Sequence, residues 1–143
     1  MLVVHEPAAS GLPAGQPVHR SVISLGRACV TAFDSSWVTV IALTGEIDAL
    51  NGARVATCLH GFVRGDRALV LDCSDLDFLA VESLPGLFAL GERCDRLGAD
   101  WALVTSHSVR RLLRVGDREH RLPAVGSMVE VLQRFETATR KRG

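Results

Sequence analysis

An α/β fold is the class this sequence predicts: one domain with a mixed, mostly parallel β-sheet and about four helices. Three observations point there. Short β-branched, apolar runs alternate with segments of helical periodicity, an order that demands crossover connections and parallel strands. Two β-rich runs near the start are separated only by the turn signal Asp34-Ser35-Ser36, which adds an antiparallel hairpin at one edge. The length, 143 residues, suits a single domain, and 48% hydrophobic with 22% charged residues is a globular composition.

Each element has its own justification. Residues 1–20 hold three of the five prolines and no sustained periodicity, so a flexible arm is expected, with a few residues added to an edge strand. Val22 to Phe33 reads as a strand with Gly26 at a bend or bulge. Trp37 to Leu43 is nearly continuous apolar, as in a strand covered on both faces. Asp48 is placed to cap a helix whose inward face is Val55, Leu59, Phe62 and Val63, ending near Gly65. Arg67 to Leu71 is a buried strand, and a short apolar step, Leu76 to Leu79, leads to a second helix from about Glu82. That helix turns Leu84, Leu87, Phe88, Gly91, Cys94 and Leu97 inward and stops at Gly98. Trp101 to Val104 is the next strand. Ser106 or Ser108 caps a third helix with Val109, Leu112, Leu113 and Val115 inward. Leu122 to Val125 is extended, and Ser127 caps a last helix with Met128, Val131, Leu132 and Phe135 inward. A basic tail occupies 139–143.

Charge and cysteines exclude several functions. Sixteen basic and sixteen acidic residues cancel, so no strong grip on nucleic acid or on an acidic membrane is expected. No apolar run approaches the roughly 20 residues that span a bilayer, and no signal peptide precedes Val22, so a cytoplasmic chain is expected. Cys29, Cys58, Cys73 and Cys94 each stand alone in apolar segments, at no metal-ligand spacing. They read as reduced, buried thiols, and neither a metal nor a cofactor is expected.

The sequence also lacks the parts of common enzymes. There is no phosphate-binding GxxxxGK[ST] or GxGxxG and no GxSxG elbow, and the five histidines have no nucleophile disposed beside them. Asp72, Asp75 and Asp77 read as turn formers at a solvated edge. A phosphoacceptor receiver domain would need an internal lysine, and the one lysine is Lys141, in the tail. No catalytic residue is assigned, and no enzyme activity is expected.

A family resemblance carries the functional reading. T-G-E-I-D at 44–48, after an apolar strand, and V-L-D-C-S-D-L-D-F-L at 70–79 resemble the STAS domain of anti-sigma-factor antagonists. Ser108 to Leu113 looks like that family's third helix, and Leu122-Pro123 through Ser127-Met128-Val129-Glu130 like its ending. The resemblance runs from about Val22 to Phe135, and the domain is placed at 21–138.

It implies binding to an anti-sigma factor of the serine-kinase (GHKL) type by protein–protein contact, which frees a sigma factor. A homodimer is compatible with it. The implied partner surface is Asp48, Ala80, Val81, Glu82, Ser83 and Pro85. The family's F-[IL]-D-S-[ST]-G-L turn falls on Phe78 to Leu84, with Ala80 at the aspartate and Val81 at the phosphorylated serine. Val81 has no hydroxyl, so phosphorylation control is expected to be absent, with Ser83 as a weak alternative acceptor. Glu82 reads either as a carboxylate favoured at a helix start or as a fixed charge imitating phosphate. The alternative function is a STAS-like sensor of a small ligand, or of redox state through Cys73 and Cys94, with no sigma-factor role.

Overall fold

The computed structural model describes the backbone of residues 3–7 and 18–142, with side chains from 18 to 137. Residues 8–17 of the expected arm lie outside the described residues. Earlier in that arm, Val3–Pro7 form strand β1, and the last described part of it already belongs to β2 (His19–Leu25). β3 is Ala28–Asp34 and β4 Val38–Ile47. These four strands pair in sequence order, all antiparallel.

Four further strands complete the sheet: β5 (Ala68–Asp72), β6 (Leu76–Leu79), β7 (Trp101–Val104) and β8 (Ala124–Val125). The order is β1-β2-β3-β4-β5-β7-β8, with β4 to β8 running parallel and β6 paired to the far end of β4. The mixed α/β sheet expected from the sequence is therefore present. Two local readings change. The run read as one strand from Val22 to Phe33 is two, because Gly26 (φ +62°) and Arg27 form a two-residue hairpin turn between Leu25 and Ala28. Gly at the first turn position supplies the positive φ that matches the sheet's twist. The apolar step at Leu76–Leu79 is a true strand.

Helices α1 (Gly52–His60), α2 (Leu84–Leu97), α3 (His107–Gly116) and α4 (Met128–Arg142) flank the sheet. The strands' period-two alternation divides the interior. Val30, Ile41, Leu43, Leu69, Leu71 and Leu103 meet Val55, Leu59, Leu87, Leu90 and Val109 in the main core. Val38, Val70, Ala102 and Val104 point the other way, toward Val131 and Phe135 of α4.

The helix ends depart from the expected faces. In α2, Leu90 is fully buried although it is not among the expected inward residues, whereas Leu97, expected inward, ends the helix with its carbonyl against Gly65 and is exposed. Val115 is exposed because it sits in the last turn of α3, one turn on from Arg111 on the solvent side. Met128 and Leu132 are exposed as well: the α4 contact patch is small, and Val131 with Phe135 covers it. The α1 helix stops at His60, four residues before the expected Gly65 signal could act. The residues read as a basic tail continue α4 as far as Arg142.

Candidate functional site

The site starts where β4 ends. Gly45 has φ +83°, and a Cβ there would collide with the Arg27 carbonyl, so only glycine lets the hairpin lie this close. At Gly45/Glu46 the register against β6 shifts, an irregularity that lets β4 pair first with β5 and then with β6. The chain then enters a turn held by reciprocal bonds. The Asp48 carboxylate accepts from the Leu50 and Asn51 N–H groups, both at 2.9 Å, while Asn51 Oδ1 accepts from the Asp48 N–H at 2.9 Å. This is the arrangement of a capping box. Asp48 caps as its sequence position suggests, but for the turn just ahead of α1. Asn51, buried to 1% exposure, also donates from Nδ2 to the carbonyls of Leu25 and Glu46, each at 3.0 Å.

The second half of the site is built on β6. The Ala80 N–H donates to the Ile47 carbonyl at 2.8 Å, which joins this turn to the Asp48 turn. Val81–Ser83 form a single 3-10 turn, closed by the Ser83 N–H on the Ala80 carbonyl at 2.9 Å. Ala80 is buried, Val81 is 55% exposed and Glu82 is exposed. Pro85 lies in the first turn of α2, where its missing N–H has no helical partner to lose.

Ser83 turns inward. Its Oγ is buried without a hydrogen-bond partner, and a Cβ on Gly52 would come within 2.9 Å of it. Gly52 thus permits the start of α1 to lie directly on the Ser83 hydroxyl.

The structure gathers Asp48, Ala80, Val81, Glu82, Ser83 and Pro85 into one corner of the molecule. It adds residues that the sequence reading missed. Asn51 and Gly52 form the platform, and two exposed apolar residues flank the turns: Leu50 (90% exposed) in the Asp48 turn and Phe78 (48% exposed) on β6, ahead of the Val81 turn. The D-x-x-N spacing of Asp48 and Asn51 was the available signal for the first of these.

Chemically the corner offers contact surface. Val81 has no transferable proton, the Ser83 hydroxyl faces Gly52, and the Asp48 carboxylate is occupied by backbone N–H groups. Among the described residues, no group of three or more His, Cys, Asp or Glu side chains is disposed to hold a metal ion. Burial pushes the Cys94 thiol up to about 11, and it raises Cys73, helped by the Asp72 charge, and Cys58. Thiolate character is correspondingly suppressed at all three.

A broad concavity lies elsewhere. A groove of about 1540 Å³ wraps the open edge at β8 and is lined by Phe88, Trp101, Arg121, Asp117, Glu130 and Phe135 among others; none of the six expected site residues reaches it. Arg121 lies over the Phe88 ring at 4.2 Å, and the buried Asp117 carboxylate accepts from the Arg121 and Leu122 N–H groups at 2.8 and 2.9 Å. No helix among the described residues is long and apolar enough to cross a membrane.

The chain is similar to known proteins over most of its length. The chain is 29% identical over 126 residues to osmosensory protein A of Mycobacterium tuberculosis, covering 85% of this chain and 80% of that protein. Its fold is similar to that of an anti-sigma factor antagonist from Mycobacterium paratuberculosis, with TM-score 0.65, 22% identity, and coverage of 78% of this chain and 97% of that one. It is also similar to the anti-sigma factor antagonist SpoIIAA in its unphosphorylated form, with TM-score 0.51, 14% identity, and coverage of 82% and 96%. The STAS domain family matches residues 31–135, most of the chain and all of the sheet from β4 onward together with both turns of the site. This chain belongs to the STAS domain family.

Proposed function

We propose that the protein is an anti-sigma factor antagonist that works by protein–protein contact in the cytoplasm and without catalysis. Its partner is an anti-sigma factor of the serine-kinase (GHKL) type, whose capture releases a sigma factor. The contact surface is the Asp48 turn, the turn from Ala80 to Pro85 and the first exposed turn of α2. The observation that carries this reading is the corner itself. Two hydrogen-bonded turns, with the end of β6 between them, present Leu50, Val81 and Phe78 to solvent beside the bonded Asp48–Asn51 platform, in a chain whose solved neighbours are antagonists. Apolar anchors on a preorganised base are what a protein partner recognises. With valine where the family's serine falls, and Ser83 facing inward, control by serine phosphorylation has no acceptor here.

The test is affinity capture from native cytosol with the purified protein, alongside a Val81→Ser/Glu82→Ser variant. A further variant adds Ala80→Asp; because Ala80 is buried, its fold is checked first by circular dichroism. Recovery of a GHKL-type anti-sigma factor on the wild-type protein supports the reading. Recovery only on the variants overturns it.

A second reading has two observations in its favour. The relative named for osmosensing, together with the groove at the β8 edge, fits a sensor module that binds a small ligand. A bound small molecule in the native mass spectrum, absent after denaturation, supports it. Its redox form has the burial of Cys73 and Cys94 against it.

A further inference from the structure

We propose that the outer face of α3 is a docking surface for an acidic segment of a partner protein. The helix His107–Gly116 reads HSVRRLLRVG and contains no acidic residue. Val109 and Leu113 face the core, with Leu112 partly buried beside them, so helical geometry turns His107, Arg110, Arg111, Arg114 and Val115 outward, and all five are exposed. Arg118, in the loop that follows, is exposed as well. Among the described residues, Arg110, Arg111, Arg114 and Arg118 close no ion pair, whereas Arg27, Arg67 and Arg121 do. Arg110 leans toward Gly126, where Glu130 also reaches, without closing one. Asp77, on the strand that α3 packs along, does not pair with them either.

This arrangement works against the isolated helix. Arg110 and Arg114 are like charges one turn apart, and Arg110 closes the helix's first turn, where the dipole disfavours cations, while Arg114 in the last turn is on the favoured side of it. Four guanidinium groups without an ion-pair partner on this exposed face therefore make a local positive field, which the neighbouring Glu119 and Glu130 offset only in part, in a chain of zero formal net charge.

The occupant's chemistry follows from the neighbours of that ridge. The overall neutrality of the chain argues against a long polyanion, since charge beyond the ridge does not favour one. The ridge carries no aromatic side chain on which bases could stack, and it borders the 70% exposed Val115. A mixed arginine and aliphatic face is the composition of a protein interface, where arginine pairs bidentately with carboxylates. Gly116 packs against Leu84 at the start of α2, so the C-terminal end of α3 lies beside the first residue of that helix. The inference stands on these charges and not on the antagonist reading.

The test is fluorescence anisotropy with a labelled peptide of repeating Glu-Glu-Leu triplets, at low and physiological salt, against the wild-type protein. Fluorescent duplex DNA and phosphatidylserine vesicles are measured in parallel. Saturable peptide binding is expected, weakened by salt and reduced roughly tenfold or more by Arg111→Glu/Arg114→Glu. The equal charge change Arg54→Glu/Arg64→Glu, made on other surfaces, should leave it unchanged. All these positions are exposed, and circular dichroism verifies each fold. No peptide binding, equal losses in the two variants, or tighter binding of DNA or vesicles overturns the proposal.

Discussion

Replacing Asn51 by alanine tests the platform beneath the site. The Asn51 amide makes three hydrogen bonds, to the Asp48 N–H and to the carbonyls of Leu25 and Glu46, in a position only 1% exposed. At about 1 kcal/mol each, and with three backbone groups left without this partner where water has little access, the loss is about 3 kcal/mol. For a domain of this size that corresponds to a fall in Tm of roughly 10 °C. Asn51→Asp keeps the acceptor for Asp48 but sets a carboxylate against two carbonyl oxygens, so it should cost at least as much. Urea unfolding reads the effect through the two tryptophans: Trp101 is buried beside α2 and Trp37 is 40% exposed at the opposite end of β4. Coincident transitions from far-UV circular dichroism and fluorescence establish that one cooperative unit is measured. A loss below about 1 kcal/mol for Asn51→Ala would refute the claim that this amide ties the β2–β3 turn, the end of β4 and the start of α1 together.

Three further outcomes follow from the same geometry. Gly45→Ala places a methyl group into the Arg27 carbonyl at φ +83° and should cost upwards of about 2 kcal/mol in urea unfolding; a near-neutral change contradicts the need for glycine there. Asp48→Asn retains an acceptor for the Leu50 and Asn51 N–H groups, so Tm should move by only a degree or two while partner affinity changes if the carboxylate is part of the contact surface; unchanged affinity in a binding titration removes Asp48 from that surface. In the folded protein, iodoacetamide at neutral pH should modify Cys29 well before Cys73 and Cys94. Because the folded Cys94 pKa is raised from 9.0 to about 11, its contribution to stability is present below pH 9 and lost as pH rises toward 11. Rapid labelling of Cys94 near pH 7, read by peptide mass spectrometry, contradicts the burial argument.

Much of the fold was legible because its long elements carry one clean period each. The Trp37–Leu43 run, the Val55/Leu59 stripe of α1, the Gly98 stop and the Ser106 cap, which accepts from the Val109 N–H at 3.2 Å, all follow from local chemistry. The errors fall where local chemistry does not determine the answer. Apolar residues continue on both sides of Gly26, so hydropathy alone does not reveal that the chain reverses there. Leu97, Val115, Met128 and Leu132 have the right spacing for burial, but Leu97 ends its helix, Val115 follows Arg111 on the solvent side of α3, and Val131 with Phe135 already covers the small patch that α4 packs on. The site shows the same division. The Asp48 and Ala80–Pro85 segments were visible as motifs, whereas the role of Asn51 rests on a bond to Leu25, 26 residues away, that no local pattern encodes. The inward turn of Ser83 depends likewise on α1 lying across it.

The most direct measurement of the central claim is an isothermal titration of the purified protein into the GHKL-type anti-sigma factor recovered by capture, with and without ATP, followed by assay of phosphate transfer. The account predicts saturable binding that does not depend on ATP and no phosphate on the wild-type chain, since Val81 offers no hydroxyl and Ser83 is turned inward. Absence of binding by the wild-type protein, with binding restored by Val81→Ser/Glu82→Ser, contradicts it.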